Sequence, residues 1–232
     1  CHSLATISTG GFATHNDSVI GYNPAIQWTI MLFMLLSGIN FTQLIYAFRG
    51  KPQRLWQDEE TRWYVAACII AGVILTIGLG IYTQMWASIR VGFFTAIATI
   101  TSTGFVAADY MIWPPILWMI VFFLMFCGGA SGSTSGGMKW VRLAIFAKAA
   151  NAEIKRRIHP NAVIPVRFNG HTVREQTTSN IVAFMFFYIA IIVLAALCFC
   201  GCGIGFDESI GLAVSMIGNV GVSIGRWGSS GC

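Results

Sequence analysis

Residues 5–12 (ATISTGGF) and 98–105 (ATITSTGF) align without gaps, and a shorter run, 218–222 (GNVGV), falls at the corresponding place of a third unit. No carboxylate occurs in any of the three, so what they can offer a ligand is neutral oxygen. Extended backbone presents rings of carbonyl oxygens that can replace the water shell of a cation. Neutral oxygens suit a large, weakly hydrated monovalent ion, whereas a divalent ion would call for Asp or Glu. Glycine belongs in such a stretch because carbonyls of alternating direction need backbone angles that a Cβ penalises.

Stretches of this kind need walls to hold them, and the rest of the chain is suited to a membrane. Of its 232 residues 56% are apolar and only 10% charged, with a mean hydropathy of +0.69; a soluble domain carries about 25% charged residues. The fold class expected is an all-α polytopic membrane protein. Residues 24–48 and 63–85 contain no Asp, Glu, Lys or Arg, and each exceeds the ~20 residues needed to cross ~30 Å of hydrocarbon. Residues 180–202 form a third span and 112–138 a fourth, whose second half is rich in Gly and Ser.

Backbone that is neither helix nor closed barrel is tolerated at membrane depth only where it is buried in protein or lines a cavity. Residues 86–99 predict a helix of about 21 Å at 1.5 Å per residue, too short to cross, with 101–107 climbing back out. The unit is therefore span, half-helix, extended loop, span, and three such loops predict three walls of one pore. A half-helix ends with unsatisfied carbonyls and about half a negative charge, a field that favours cations. Close packing of Thr-Gly pairs inside ordinary membrane helices is the competing account, and the ungapped eight-residue match argues against coincidence.

Charge sets the orientation. Arg49, Lys51, Arg54 and Arg62 fall between the first two spans, and Lys139, Arg142, Lys148, Lys155, Arg156, Arg157, Arg167 and Arg174 between the last two. Twelve of fourteen basic residues thus lie in two connections, which the positive-inside rule makes cytoplasmic. The expected segments are 1–48, the end of one unit; 49–62, a cytoplasmic linker; 63–138, a whole unit; 139–178, a basic interfacial segment; and 179–232, the start of another unit. The chain opens on Cys1 and reads as a fragment cut at both ends. Asp17 and Asp109 are expected at the outer mouth, either concentrating cations or simply solvated. Cys198, Cys200 and Cys202 alternate at the end of a span, and only Cys198 and Cys202 share a helical face; buried small residues explain them better than a metal site.

Residues 128–137 contain five glycines, which a regular helix holds only at roughly 1 kcal/mol each relative to Ala. Gly128, Gly129, Ser131, Gly132, Ser133, Thr134, Ser135, Gly136 and Gly137, with Lys139 after them, therefore predict an intramembrane loop below the extended stretches, although a close-packed Gly/Ser helix is the other possibility.

The motifs ISTGGFATHN (7–16), TSTGF (101–105), GGASGSTSGGMKWVR (128–142) and GNVG (218–221) together resemble the potassium-translocating subunits of the Trk/Ktr/HKT superfamily, most closely the TrkH branch, over essentially the whole chain. The resemblance implies four pseudo-repeats of the potassium-channel type around one pore, with Gly11, Gly104 and Gly221 as the filter glycines of the second, third and fourth. It makes Ser8, Thr9, Gly10, Gly11 and Phe12, then Thr101, Ser102, Thr103, Gly104 and Phe105, then Gly218, Asn219, Val220, Gly221 and Val222 the selectivity filter. Potassium would sit at the carbonyls of Thr9, Gly10, Ser102, Thr103, Asn219 and Val220, and the Gly/Ser loop would be the gate.

Implied further are potassium uptake, with proton or sodium coupling left open, in a bacterial inner membrane, no enzymatic activity and no organic cofactor on this chain. The partners implied are membrane lipid, a second copy in a homodimer and a cytosolic TrkA-like nucleotide-binding regulatory subunit. Nucleic acid is not expected. A sodium-permeable relative is the nearest alternative, since the first filter loop, which bears on that preference, is not in the sequence. An intramembrane enzyme built on Ser131–Ser135 would need a paired base, and only Lys139 is near.

Overall fold

The structure is a computed structural model and describes residues 1–14, 18–81, 84–109, 113–159 and 164–222. Asp17, expected at an outer mouth, lies outside the described residues, as do His15 and Asn16 of the first motif.

The elements are α1 (His2–Ile7), α2 (Pro24–Ser37), α3 (Phe41–Phe48), α4 (Gln53–Gln57), α5 (Glu59–Gly80), α6 (Met85–Ile100), α7 (Pro115–Leu124), α8 (Trp140–Ile158), β1 (Arg167–Phe168), β2 (His171–Thr172), α9 (Glu175–Gly201) and α10 (Phe206–Gly218). The fold is all-α and polytopic. By length and composition α5 and α9 can each cross a membrane, and α2 with α3 passes the same test as a bent pair. On α9, Phe186, Phe187, Leu194 and Leu197 each expose more than 60% of their surface, as side chains meant for lipid do. Its buried side is the narrow stripe Ile181, Tyr188, Ile192 and Ala196.

Helix α5 starts where Asp58 caps it, Oδ2 accepting from the Thr61 N–H at 3.0 Å. It then packs along α6, the half-helix, whose second half from Phe94 to Ile100 is buried without interruption. Helices α1 and α10 are the counterparts of α6, lying against α2 and α9 respectively.

Two expected spans differ from the reading. Residues 24–48 do not form one helix: α2 and α3 meet at 106°. The chain turns at Gly38-Ile39-Asn40, where Asn40 caps α3 by accepting from the Thr42 N–H at 2.9 Å. The freed Gly38 carbonyl accepts from the Ala130 N–H at 2.8 Å, so the break is satisfied by protein, as membrane depth demands. Of the expected span 112–138, the described residues 113–138 hold only one helix, α7, about 15 Å long. Beyond it the Gly128 N–H donates to the Met138 carbonyl at 2.7 Å and the Met138 N–H to the Phe126 carbonyl at 3.2 Å. These bonds close residues 127–138 into a loop with adjacent ends, not a packed helix.

The basic segment is an amphipathic helix, α8, followed by the hairpin β1–β2, in which Arg167 pairs with Thr172 and Phe168 with His171. Asn169 and Gly170 turn it with φ of 50° and 78°, the pair of left-handed residues that a two-residue hairpin turn requires.

Candidate functional site

Each half-helix ends in the same way. The Gly10 N–H donates to the Ala5 carbonyl at 2.8 Å, Thr103 to Ala98 at 2.9 Å, and Val220 to Ser215 at 2.9 Å. The residue before each donor bonds three back: Thr9 to Thr6, Ser102 to Thr99 and Asn219 to Met216, at 3.3, 3.0 and 3.2 Å. This pair of bonds is the Schellman ending, with its left-handed residue at the first position past the helix cap. Those residues are Thr9 (φ 51°), Ser102 (φ 54°) and Asn219 (φ 56°). Left-handed geometry disfavours side chains, and a β-branched residue such as Thr9 most of all. Asn219 takes this shape readily, whereas Thr9 and Ser102 hold it against local preference.

Two residues on, the backbone turns left-handed again at Gly11 (φ 66°), Gly104 (φ 75°) and Gly221 (φ 83°). These are the three glycines that the sequence singled out. Each loop therefore runs left-handed residue, one ordinary residue, left-handed glycine. Among the described residues, the carbonyls of Thr9, Gly10, Ser102, Thr103, Asn219 and Val220 accept no hydrogen bond. The six stand at matched positions in the three loops, those of Gly10 and Asn219 on exposed residues.

The loops are neighbours in space, in chain order. A Cβ built on Gly11 would collide with the Thr103 carbonyl oxygen, and one built on Gly104 would collide with the Val220 carbonyl oxygen while coming within 3.3 Å of Val222 Cγ2. Thr103 and Val220 occupy the same register, so one contact is repeated from the first loop to the second and from the second to the third. The middle loop is enclosed on both sides: Thr101, Ser102 and Thr103 are fully buried and Phe105 is 3% exposed. The Thr101 and Thr103 hydroxyls bond to each other at 2.7 Å. Phe12, on the outer flank of the first loop, is 74% exposed. Above the loops the Val19 N–H donates to the Val106 carbonyl at 3.2 Å, and Ser18 Oγ accepts from the Val106 N–H at 3.1 Å.

Of the expected stretch residues, Gly218 is the last residue of α10. The other fourteen stand in the caps and loops, brought together as three adjoining strands of backbone. The half-helix carbonyls are less bare than expected, because the Schellman bonds occupy those of Ala5, Thr6, Ala98, Thr99, Ser215 and Met216.

The Gly/Ser loop touches the ends of two half-helices. Thr134 Oγ1 donates to the Ile7 carbonyl, the last of α1, at 2.8 Å. A Cβ on Gly136 would come within 2.6 Å of Asn219 Cβ and 2.8 Å of the Gly218 carbonyl. It also reaches the α2–α3 break, where the Phe41 N–H donates to the Gly132 carbonyl at 3.3 Å. Lys139 folds back on the loop, its Nζ donating to the carbonyls of Ser135 and, at 3.5 Å, of Ser133. Ser133 and Ser135 share a hydroxyl bond of 2.9 Å. One participant went unread in the sequence. Glu60, 5% exposed on the first turn of α5, accepts through Oε1 from the Ser131 N–H and, at 3.1 Å, from the Val141 N–H. Three acids in a row at a helix start look like ordinary dipole partners, and the sequence does not show which of them turns inward.

Fold and site together define a polytopic helical membrane protein in which capped half-helices hold consecutive loops of unpaired carbonyls side by side. Comparison with known proteins gives the family. Residues 1–231 match the family model TrkH, described as a cation transport protein. The Trk system potassium uptake protein TrkH of Escherichia coli K12 is 33% identical over 193 residues, covering 81% of this chain and 40% of that protein. TrkG of the same organism is 33% identical over 238 residues, covering 99% of the chain and 48% of its own length. The crystal structure of the potassium transporter TrkH from Vibrio parahaemolyticus superposes with a TM-score of 0.92 at 27% identity, over 97% of this chain and half of that one. The chain belongs to the TrkH family and spans about half the length of the curated relatives it matches.

Proposed function

We propose that this chain forms three of the walls of a potassium-conducting pore and takes part in potassium uptake across a bacterial inner membrane. The observation that carries the proposal is the threefold recurrence of one loop geometry, with its unpaired carbonyls at Thr9, Gly10, Ser102, Thr103, Asn219 and Val220. Carbonyl oxygens held rigidly replace the hydration shell of a monovalent cation without covalent chemistry, and the left-handed Gly11 and Gly104 let the next loop come close enough to share the ring. The names of the relatives, all potassium uptake proteins, support potassium as the cargo.

In the same reading the Gly/Ser loop, residues 128–137 with Lys139, is the gate, since it lies against the inner ends of two half-helices. A regulatory cytosolic subunit that carries the nucleotide docks on the basic segment, lipid covers the outward faces of α5 and α9, and two copies associate. No organic cofactor is needed on this chain for any of these steps.

The test is rubidium uptake by the full-length protein carrying Gly104→Ser or Gly104→Asp, normalised to protein in the membrane. Either change should cut flux at least tenfold, the Asp variant also altering the preference between rubidium and sodium. Undiminished flux with unchanged preference would remove Gly104 from the conduction path.

A further inference from the structure

Glu60 is the one acid of the described chain that sits almost wholly inside the protein with two backbone N–H groups on a single oxygen. Burying a carboxylate is costly unless it is hydrogen-bonded, so a Glu kept at this place answers some need of the structure around it. Its two donors identify that need. The Ser131 N–H belongs to the middle of the Gly/Ser loop, and the Val141 N–H belongs to the first turn of α8, where the loop ends; such N–H groups have no partner within their helix. One oxygen thus clips the crest of the loop to its exit.

Clamping matters here because the loop's backbone bonds fix mainly its base: the Gly128 N–H bonds the Met138 carbonyl and the Ala130 N–H bonds the Gly38 carbonyl. Toward the crest Gly132 and Gly137 have φ of 82° and 65°, and the ties there are the Phe41 N–H on the Gly132 carbonyl, hydroxyl bonds and Lys139. The neighbouring acids face elsewhere: Asp58 caps α5 and bonds Asn169 of the hairpin at 2.7 Å, and Glu59 bonds Lys148 of α8. Three consecutive residues therefore tie α5 to the hairpin, to α8 and to the loop.

We propose that Glu60 is the positioning residue of the Gly/Ser loop, its carboxylate holding Ser131 and Val141 so that the loop stays across the half-helix ends. The proposal rests on the gating role argued above. Removing the carboxylate leaves both N–H groups without their acceptor and lets the loop leave that place.

The experiment measures rubidium influx per membrane-inserted full-length protein for Glu60→Ala, Glu60→Gln, a deletion of residues 131–135, and the deletion combined with Glu60→Ala. Glu60→Ala should raise basal influx at least fivefold. Glu60→Gln keeps an amide oxygen that accepts the same bonds without the charge, which is roughly half as strong, so it should fall between Ala and the parent. In the deletion background Glu60→Ala should add nothing. If the deletion raises influx and Glu60→Ala leaves it at the parent level, the positioning role is wrong and the gate stands. If the deletion itself changes nothing, the gate reading fails instead. Should Glu60→Ala not reach the membrane, Glu60→Gln decides through labelling of Ser133→Cys by an impermeant thiol reagent: faster labelling with raised influx supports the role, and parent values for both overturn it.

Discussion

Gly11 faces the carbonyl oxygen of Thr103 with no room for a Cβ between them. Gly104 stands in the same relation to Val220, so the contact is a rule of the assembly and not an accident of one loop. It couples two requirements at a single atom. The left-handed φ of each glycine aims its own backbone, and the missing side chain makes space for the next loop's oxygen.

Gly11→Ala should therefore fail twice. The left-handed conformation costs an L-residue about 1–2 kcal/mol, and the collision with the Thr103 carbonyl must push one loop away from the other. Gly50 has a φ of 80° but open space around it, so Gly50→Ala should show the strain alone. Rubidium uptake should drop at least tenfold in Gly11→Ala and stay at the parent level in Gly50→Ala, with both melting at lower temperature in detergent. Equal flux in the two variants would separate Gly11 from conduction.

The half-helix was legible because its ending was written twice: residues 86–99 predicted it, and α6 runs from Met85 to Ile100. The Gly/Ser loop was legible from its glycines. What escaped was geometry that apolar composition does not encode. Residues 24–48 are uniformly apolar, and only the Gly38 and Asn40 pair, a helix stop followed by a cap, hints at a bend of 106°. The left-handed Thr9 and Ser102 contradict local propensity, so no single-residue preference could have found them. Glu60 reads as one of three solvated acids, and burial that depends on a loop seventy residues away is invisible along the chain.

The hairpin β1–β2 docks on α5 through Asn169, whose Oδ1 accepts from the Glu59 N–H and whose Nδ2 donates to Asp58 Oδ1, both at 2.7 Å. Asp58→Ala removes both this bond and the cap on α5, whereas Asn169→Gly removes the docking and keeps a residue suited to the left-handed turn. A double-mutant cycle on thermal stability should give a coupling of about 0.5–3 kcal/mol, the range for residues in one hydrogen-bond network. Strict additivity would mean that the hairpin is held by Lys148 and packing instead.

Asn40 does two jobs at the α2–α3 bend. It caps α3 through Thr42 and lies against Gly132 of the Gly/Ser loop, 3.1 Å from where a Cβ would be. Asn40→Ala should lower stability by about 1 kcal/mol through the lost cap. Asn40→Asp and Asn40→Ser keep a capping oxygen and should recover most of that loss in the same melting measurement. No recovery would assign the effect to the contact with Gly132.

Thr134 is the tie between the Gly/Ser loop and the first half-helix, its hydroxyl donating to the Ile7 carbonyl at 2.8 Å. Thr134→Val keeps the shape of the side chain and deletes only the donor. A single neutral hydrogen bond is worth about 1 kcal/mol, which corresponds to a roughly fivefold shift between two loop positions when RT is ~0.6 kcal/mol. If that bond holds the loop in place, basal rubidium influx should rise by about that factor, and Thr134→Ser, which retains the hydroxyl, should remain near the parent. The melting temperature should move little in either variant, since the site is exposed. An unchanged influx in Thr134→Val would show that the loop's position is set elsewhere, by its bonds to Gly38 and Lys139, and would shift attention from the α1 end of the loop to its base.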